Sequence, residues 1–142
     1  MAYDAEAFHM AESNFRVAAK AFIINDGKLL LVKRRPNDVH RPDEWDIPGG
    51  RLEPGENPLE GLRREVREEA GIDVEIVCPL HVQHFTRDDN QKITMIIFLC
   101  KPLATAVRLS GEHTDYRWAD PADAPPWLIG AVSNFLRFKH ND

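Results

Sequence analysis

The residues best suited to chemistry are Glu65, Glu68 and Glu69, three carboxylates crowded into the stretch GLRREVREEAGI. At about 100° per residue they share one stripe of a helix, beside a stripe of Leu59, Leu62, Val66 and Ala70 that docks it. Like charges spaced i, i+3 and i+4 repel by about 0.2–0.5 kcal/mol per pair. Arg64 offsets part of this, and a hard divalent cation that takes oxygen ligands fits the remainder; Mg²⁺ is the expected ion, with Mn²⁺ as the alternative. Such an ion is held between carboxylates and substrate phosphates, and it steadies both attacking and leaving oxygens in a phosphoryl displacement. Acidic helix faces are more often simply solvated, so the surrounding spacing has to decide.

The elements that must position these carboxylates are marked in the chain. Asn57 caps the helix, Pro58 takes the first turn, Glu60 follows the cap by three, and Gly71 closes the helix in a left-handed conformation. Before it, Trp45-Asp46-Ile47-Pro48 leads as a short strand into Gly49-Gly50, where the backbone can approach a ligand and turn the Gly49 carbonyl toward a metal, or form a plain tight turn. Residues 16–25 and 28–35 read as strands joined by a type I′ turn at Asp26-Gly27. Residues 74–85 and 93–100 form a second hairpin around Asp88-Asp89-Asn90, with 93–100 apolar enough for a central strand. A short strand at 107–109, a polar loop with Glu112 and His113, and the alternating Tyr116-Arg117-Trp118 strand follow. Leu128, Ile129, Val132, Phe135 and Leu136 recur at helical spacing in a last helix that packs on the sheet. The expected class is α/β, a mixed sheet between helices.

The chain has 142 residues and a formal net charge of −5, which suits one domain and argues against a protein that coats nucleic acid. Residues 1–13 read as an N-terminal extension, helical or frayed, and 14–142 as a single domain. The two cysteines, Cys78 and Cys100, lie in apolar strand-like runs without metal-ligand spacing, as expected of buried thiols in a reducing compartment. With neither a secretory signal nor a run of membrane-spanning length, the expectation is a cytoplasmic protein without membrane association.

From Gly50 the chain reads Gly, five residues, Glu56, seven residues, Arg64, Glu65, Val66, any residue, Glu68, Glu69, any residue, Gly71, Ile72. Ordinary amino-acid usage would produce that pattern in about one chain in ten million. It resembles the signature of the Nudix hydrolase family, MutT-like, at every position. The resemblance implies an α/β/α sandwich with a mixed sheet, a catalytic loop-helix over 50–71 and a C-terminal helix. It also implies hydrolysis of a nucleoside diphosphate derivative by water with divalent metal, and the chemistry agrees, because phosphoryl transfer needs positioning and charge neutralisation more than a covalent nucleophile.

Carried over by position, Glu65, Glu68 and Glu69 resemble the family's helix ligands, Glu69 foremost, and Glu56 and Arg64 resemble the pair that braces the loop. A further carboxylate, as ligand or general base, is expected from a later loop: Glu112, with Asp115 as the rival. Arg35 and Arg51 are placed to bind substrate phosphates, ahead of Arg34 and Arg16, while His40, His81 and His84 are more ordinarily structural. Trp127 either stacks on a base or anchors the last helix. The spacing from the Lys33-Arg34-Arg35 run to the motif resembles that of the branch that removes oxidised guanine triphosphates, but that branch has Asn after its Pro-Pro pair where this chain has Trp127-Leu128. The proline that many ADP-ribose hydrolases carry beyond the motif is also missing. The expected substrate is a small nucleotide, most simply a (deoxy)nucleoside triphosphate, for a monomer or homodimer; the alternatives are a family pyrophosphatase of the ADP-ribose or dinucleotide type and a non-catalytic regulatory nucleotide-binding domain.

Overall fold

The computed structural model describes residues 14–140, so the extension expected over 1–13 lies outside the described residues. Seven strands form one mixed sheet: β1 (Phe15–Asn25), β2 (Lys28–Arg34), β3 (Trp45–Asp46), β4 (Gly49–Arg51), β5 (Val74–Thr86), β6 (Lys92–Pro102) and β7 (His113–Ala119). The path runs β3-β2-β1-β6-β5, with β4 added to β1 and β7 to β2. Only β1 and β6 are parallel; the other pairs are antiparallel. Asp26 and Gly27 have φ of 50° and 76°, which gives the β1–β2 turn its type I′ character.

Alternation along β1 divides the interior. Ala19, Ala21 and Ile23 join Leu62, Val66 and Ala70 of helix α1 (Pro58–Ala70), whereas Ala18 and Phe22 join Leu128, Ala131 and Phe135 near the last helix α2 (Ile129–His140). The two helices thus close opposite faces of the sheet, as an α/β/α sandwich requires. Asn57 Oδ1 accepts from the Leu59 and Glu60 N–H groups, and Gly71, at φ 68°, sends its N–H to the Arg67 carbonyl. Fully burying Leu62 and Val66 stabilises this docking by about 1.5–3 kcal/mol each.

Residues 107–109 form no strand, because the Arg108 and Ser110 N–H groups donate to the Ala70 and Glu69 carbonyls and so close the end of α1. On α2, Ile129 is 73% exposed and Leu136 is also exposed, since Leu128, Ala131 and Phe135 occupy the face that meets the sheet. Cys100 is buried, and burial pushes its thiol up to about 12, but Cys78 on edge strand β5 is only half-buried. Among the described residues, no helix is long and apolar enough to cross a membrane.

Candidate active site

The carboxylates meet the sheet at the Gly49-Gly50 turn. Gly49 has φ 133°, and a Cβ there would overlap the Ala19 carbonyl oxygen, so only glycine lets β4 lie against β1 at this point. The Gly49 N–H donates to Glu69 Oε2 at 2.7 Å. Glu65, one turn earlier on α1, lies within van der Waals distance of where a Gly50 Cβ would be. The register that brings the acidic helix to this turn is therefore fixed by backbone contact.

Arg64 braces the loop as expected from position. Its Nε donates to Glu56 Oε2 at 2.9 Å and its Nη2 to Glu56 Oε1 at 3.0 Å, in a fork across eight residues. It also reaches Glu65 at 3.3 Å and Glu68 at 3.2 Å. The Glu56 hydrogen bonds hold the guanidinium above its ordinary range, and the same contacts hold the Glu56 carboxyl below its own.

Glu69 is buried, and burial pushes its carboxyl up to about 8 despite the opposing pull of Lys20 and the Gly49 N–H. Burial also raises Glu65. Ligand atoms of Glu69, Glu112 and His113 lie within 4.8 Å of one another. His113 is buried with its Nδ1 lacking a hydrogen-bond partner among the described residues, and burial pushes the imidazole down. The cluster is thus an oxygen-rich donor set in which a buried carboxylate lacks a full countercharge, which fits a hard divalent cation. Glu68 is exposed at the margin, tied to Arg64.

A cleft of about 920 Å³ opens beside this cluster, lined by Glu65, Glu69 and Glu112 together with several cations. Glu112 lines it; Asp115 does not, and its carboxylate instead accepts from the Tyr116 N–H. Arg51 lines it, donating to Gln91 Oε1 at 2.6 Å, and so does Arg16. Arg35 does not. Arg34 lines the cleft instead, its guanidinium held by Asp38 and Asp46, while Arg35 is engaged through its backbone, donating its N–H to the Glu112 carbonyl. His40 lines the cleft and bonds Asp88 at 2.7 Å. His81 is taken by Asn134 of α2 and His84 by Thr94, so neither reaches the cleft. Trp127 both lines the cleft and packs on the core near α2, with the Arg41 guanidinium 5.0 Å from its ring centroid.

Lys20, absent from the sequence-derived site, lines the cleft, and Asp46 is buried against it. Lys20 is 5% exposed and donates to Asp46 Oδ2 at 3.1 Å and to the Ile47 carbonyl at 3.2 Å. Arg34 and Arg41 donate to the same carboxylate oxygen at 2.8 and 2.9 Å. Burial alone would raise Asp46, yet Lys20, Arg41 and Arg34 hold it at about 2. A lone lysine inside VAAKAFII and a lone aspartate between Trp45 and Ile47 were the available signals, two charges that an apolar strand can bury only as partners.

Comparison with known proteins agrees with this geometry. A family model described as NUDIX domain matches residues 14–137. The chain is 35% identical over 128 residues to nucleoside triphosphatase NudI of Escherichia coli K12, covering 82% of this chain and 91% of that protein. It is 35% identical over 103 residues to a MutT-like protein of Streptomyces ambofaciens, covering 72% of this chain, and spans only 62% of that relative's length. The crystal structure of the MutT protein from Methanosarcina mazei Go1 superposes with a TM-score of 0.76 at 29% identity, covering 89% of this chain and 94% of that one. With the acidic helix, the glycine turn and the sandwich all matched by a model spanning most of its length, this chain belongs to the Nudix family of hydrolases acting on pyrophosphate bonds.

Proposed function

We propose that the chain hydrolyses a (deoxy)nucleoside triphosphate to the monophosphate and pyrophosphate, with Mg²⁺ as its ion and Mn²⁺ as the alternative. The observation that carries this reading is that Glu65, Glu69 and Glu112 line one cleft together with Arg16, Arg34, Arg51 and Arg87. The relative named a nucleoside triphosphatase supports the choice of substrate.

In this reading Glu65, Glu68, Glu69 and Glu112 hold the ion, with the Gly49 carbonyl as a further ligand. The bound ion neutralises phosphate charge and acts as a Lewis acid. Glu112, the exposed member of the cluster, accepts the proton of the attacking water. Glu56 is a positioning residue: it holds Arg64, and Arg64 holds Glu65 and Glu68. Arg51 binds the outer phosphates, and Arg16 and Arg87 extend the positive wall. Lys20, with Asp46 fixed beside it, keeps positive charge next to Glu69. Arg35 acts through its backbone on Glu112, and Trp127 forms the wall near α2.

A turnover panel tests the proposal: ribo- and deoxynucleoside triphosphates, 8-oxo-dGTP, ADP-ribose, NADH and diadenosine polyphosphates, each with Mg²⁺ and with Mn²⁺. Release of monophosphate and pyrophosphate from a triphosphate is expected. Turnover of ADP-ribose or a dinucleotide alone would move the chain to that class of substrate. Binding without any turnover would make it a regulatory nucleotide-binding domain.

A further inference from the structure

The cleft has a second end with different chemistry, and strand register lays out its floor. Gln83 on β5 is opposite Met95 on β6, Met95 is beside Ala18 on β1, and Ala18 is opposite Arg51 on β4; in the neighbouring row Phe85 is opposite Ile93. All six line the cleft. Ala18, Ile93 and Met95 are buried, which gives the row an apolar middle between the Arg51 cation and the Gln83 amide. A planar, apolar-faced ring suits such a floor.

Gln83 is the sole carboxamide among the lining residues, and it makes no side-chain hydrogen bond among the described residues. A half-buried amide on an apolar floor leaves donors and an acceptor for a ligand. Arg51 stands three strand spacings away, roughly 14 Å. Arg51 is also only two residues beyond Gly49, whose N–H holds Glu69. A nucleotide with its phosphates at the carboxylates and its ring on Ala18 and Met95 therefore presents its base edge to Gln83.

We infer that Gln83 is the residue that reads the base of a nucleoside triphosphate in this cleft, an assignment that rests on the function proposed above. Its chemistry sets the outcome. A carboxamide offers an acceptor and a donor side by side. Adenine and cytosine present a ring-nitrogen acceptor next to an amino donor, and guanine and thymine a carbonyl next to an N–H, so Gln83 pairs with every base by turning its amide over. Broad base tolerance follows. Trp127 does not supply this, because its indole nitrogen is buried and is a donor only.

The test is kcat/KM for dATP, dGTP, dCTP and dTTP with wild type, Gln83→Glu and Gln83→Met. A carboxylate accepts only, and guanine alone presents two adjacent donors, so Gln83→Glu is expected to raise the ratio of dGTP to dATP about tenfold over wild type. Gln83→Met is expected to raise KM about three- to tenfold for all four bases while leaving their ratios near those of wild type. If Gln83→Glu does not fold, the Met variant decides, and a KM unchanged on every base overturns the assignment. Unchanged ratios in a folded Gln83→Glu, with wild type active on triphosphates, remove the Gln83 assignment alone. A wild type inactive on every triphosphate but active on another nucleotide removes the proposed function first and this inference with it.

Discussion

Alternate residues of β1 face two different interiors. Ala19, Ala21 and Ile23 meet Leu62, Val66 and Ala70 of α1 in a closed apolar layer, while the opposite face carries Lys20 between Ala18 and Phe22 and buries it against Asp46. The first layer is held chiefly by area removed from water. The second tolerates charge because Asp46 receives three cations at hydrogen-bond distance, without which desolvation would be prohibitive. Glu69 breaks that balance. It is buried, but Lys20 is shared with Asp46 and the Gly49 N–H is a partial charge, so its carboxyl stays near 8. The cleft side is folded around a compensated aspartate and leaves an under-compensated glutamate for an ion to complete.

Removing the compensated charge should cost most. Asp46→Ala leaves Lys20 buried without its partner, and chemical denaturation should show a loss of about 3–5 kcal/mol. Glu69→Gln should do the reverse: a Tm equal to or above that of the metal-free wild type, with kcat lowered about 10²- to 10³-fold. On the other face Leu62→Ala should lose about 3 kcal/mol of stability with kcat per folded molecule unchanged, as calorimetry and active-site titration together would reveal. Should Leu62→Ala lower kcat per folded molecule a hundredfold, the division between the two faces is wrong. Arg64→Ala should lower kcat about 10- to 100-fold with little change in Tm, because the braced side chains are partly solvated.

The last effect is set by pH. Because burial lifts the Glu69 carboxyl from its unfolded range near 4.5 to about 8, the folded state holds a proton that the unfolded state releases. Stability contributed by the neutral form is complete below about 4.5 and is lost as pH rises through 8. The metal-free wild type should therefore lose stability between those values, and Glu69→Gln should flatten the slope. Divalent-ion affinity must run the opposite way, rising by up to about tenfold per pH unit between pH 6 and 8 as the proton ceases to compete; Mn²⁺ titration followed by electron paramagnetic resonance would measure it. An affinity independent of pH would mean that Glu69 is not a ligand.

What the sequence made legible was local. Asn57, Pro58 and Gly71 act on their own neighbours, and so fix α1 without reference to the rest of the fold; Asp26-Gly27 does the same for its hairpin. The motif spacing put Glu65, Glu69 and Arg64 on one helix, where Arg64 bridges to Glu56 and Glu65. Features that depend on distant pairing were hidden. Lys20 and Asp46 meet across 26 residues, Arg34 rather than its neighbour Arg35 lines the cleft, and 107–109 looks like a strand until the Ala70 carbonyl takes the Arg108 N–H. His113 escaped for a related reason: a histidine beside Glu112 becomes part of the acidic cluster only when β7 pairs with β2 and brings both to the end of α1.

The most direct measurement is product analysis by ³¹P nuclear magnetic resonance of a deoxynucleoside triphosphate incubated with Mg²⁺ and either wild type or Glu69→Gln. Wild type should give the monophosphate and pyrophosphate in equal amounts, and a folded Glu69→Gln should give neither at a comparable rate. Equal turnover by the two proteins, or release of inorganic phosphate as the first product, would contradict the assignment of the carboxylate cluster and of the reaction it serves.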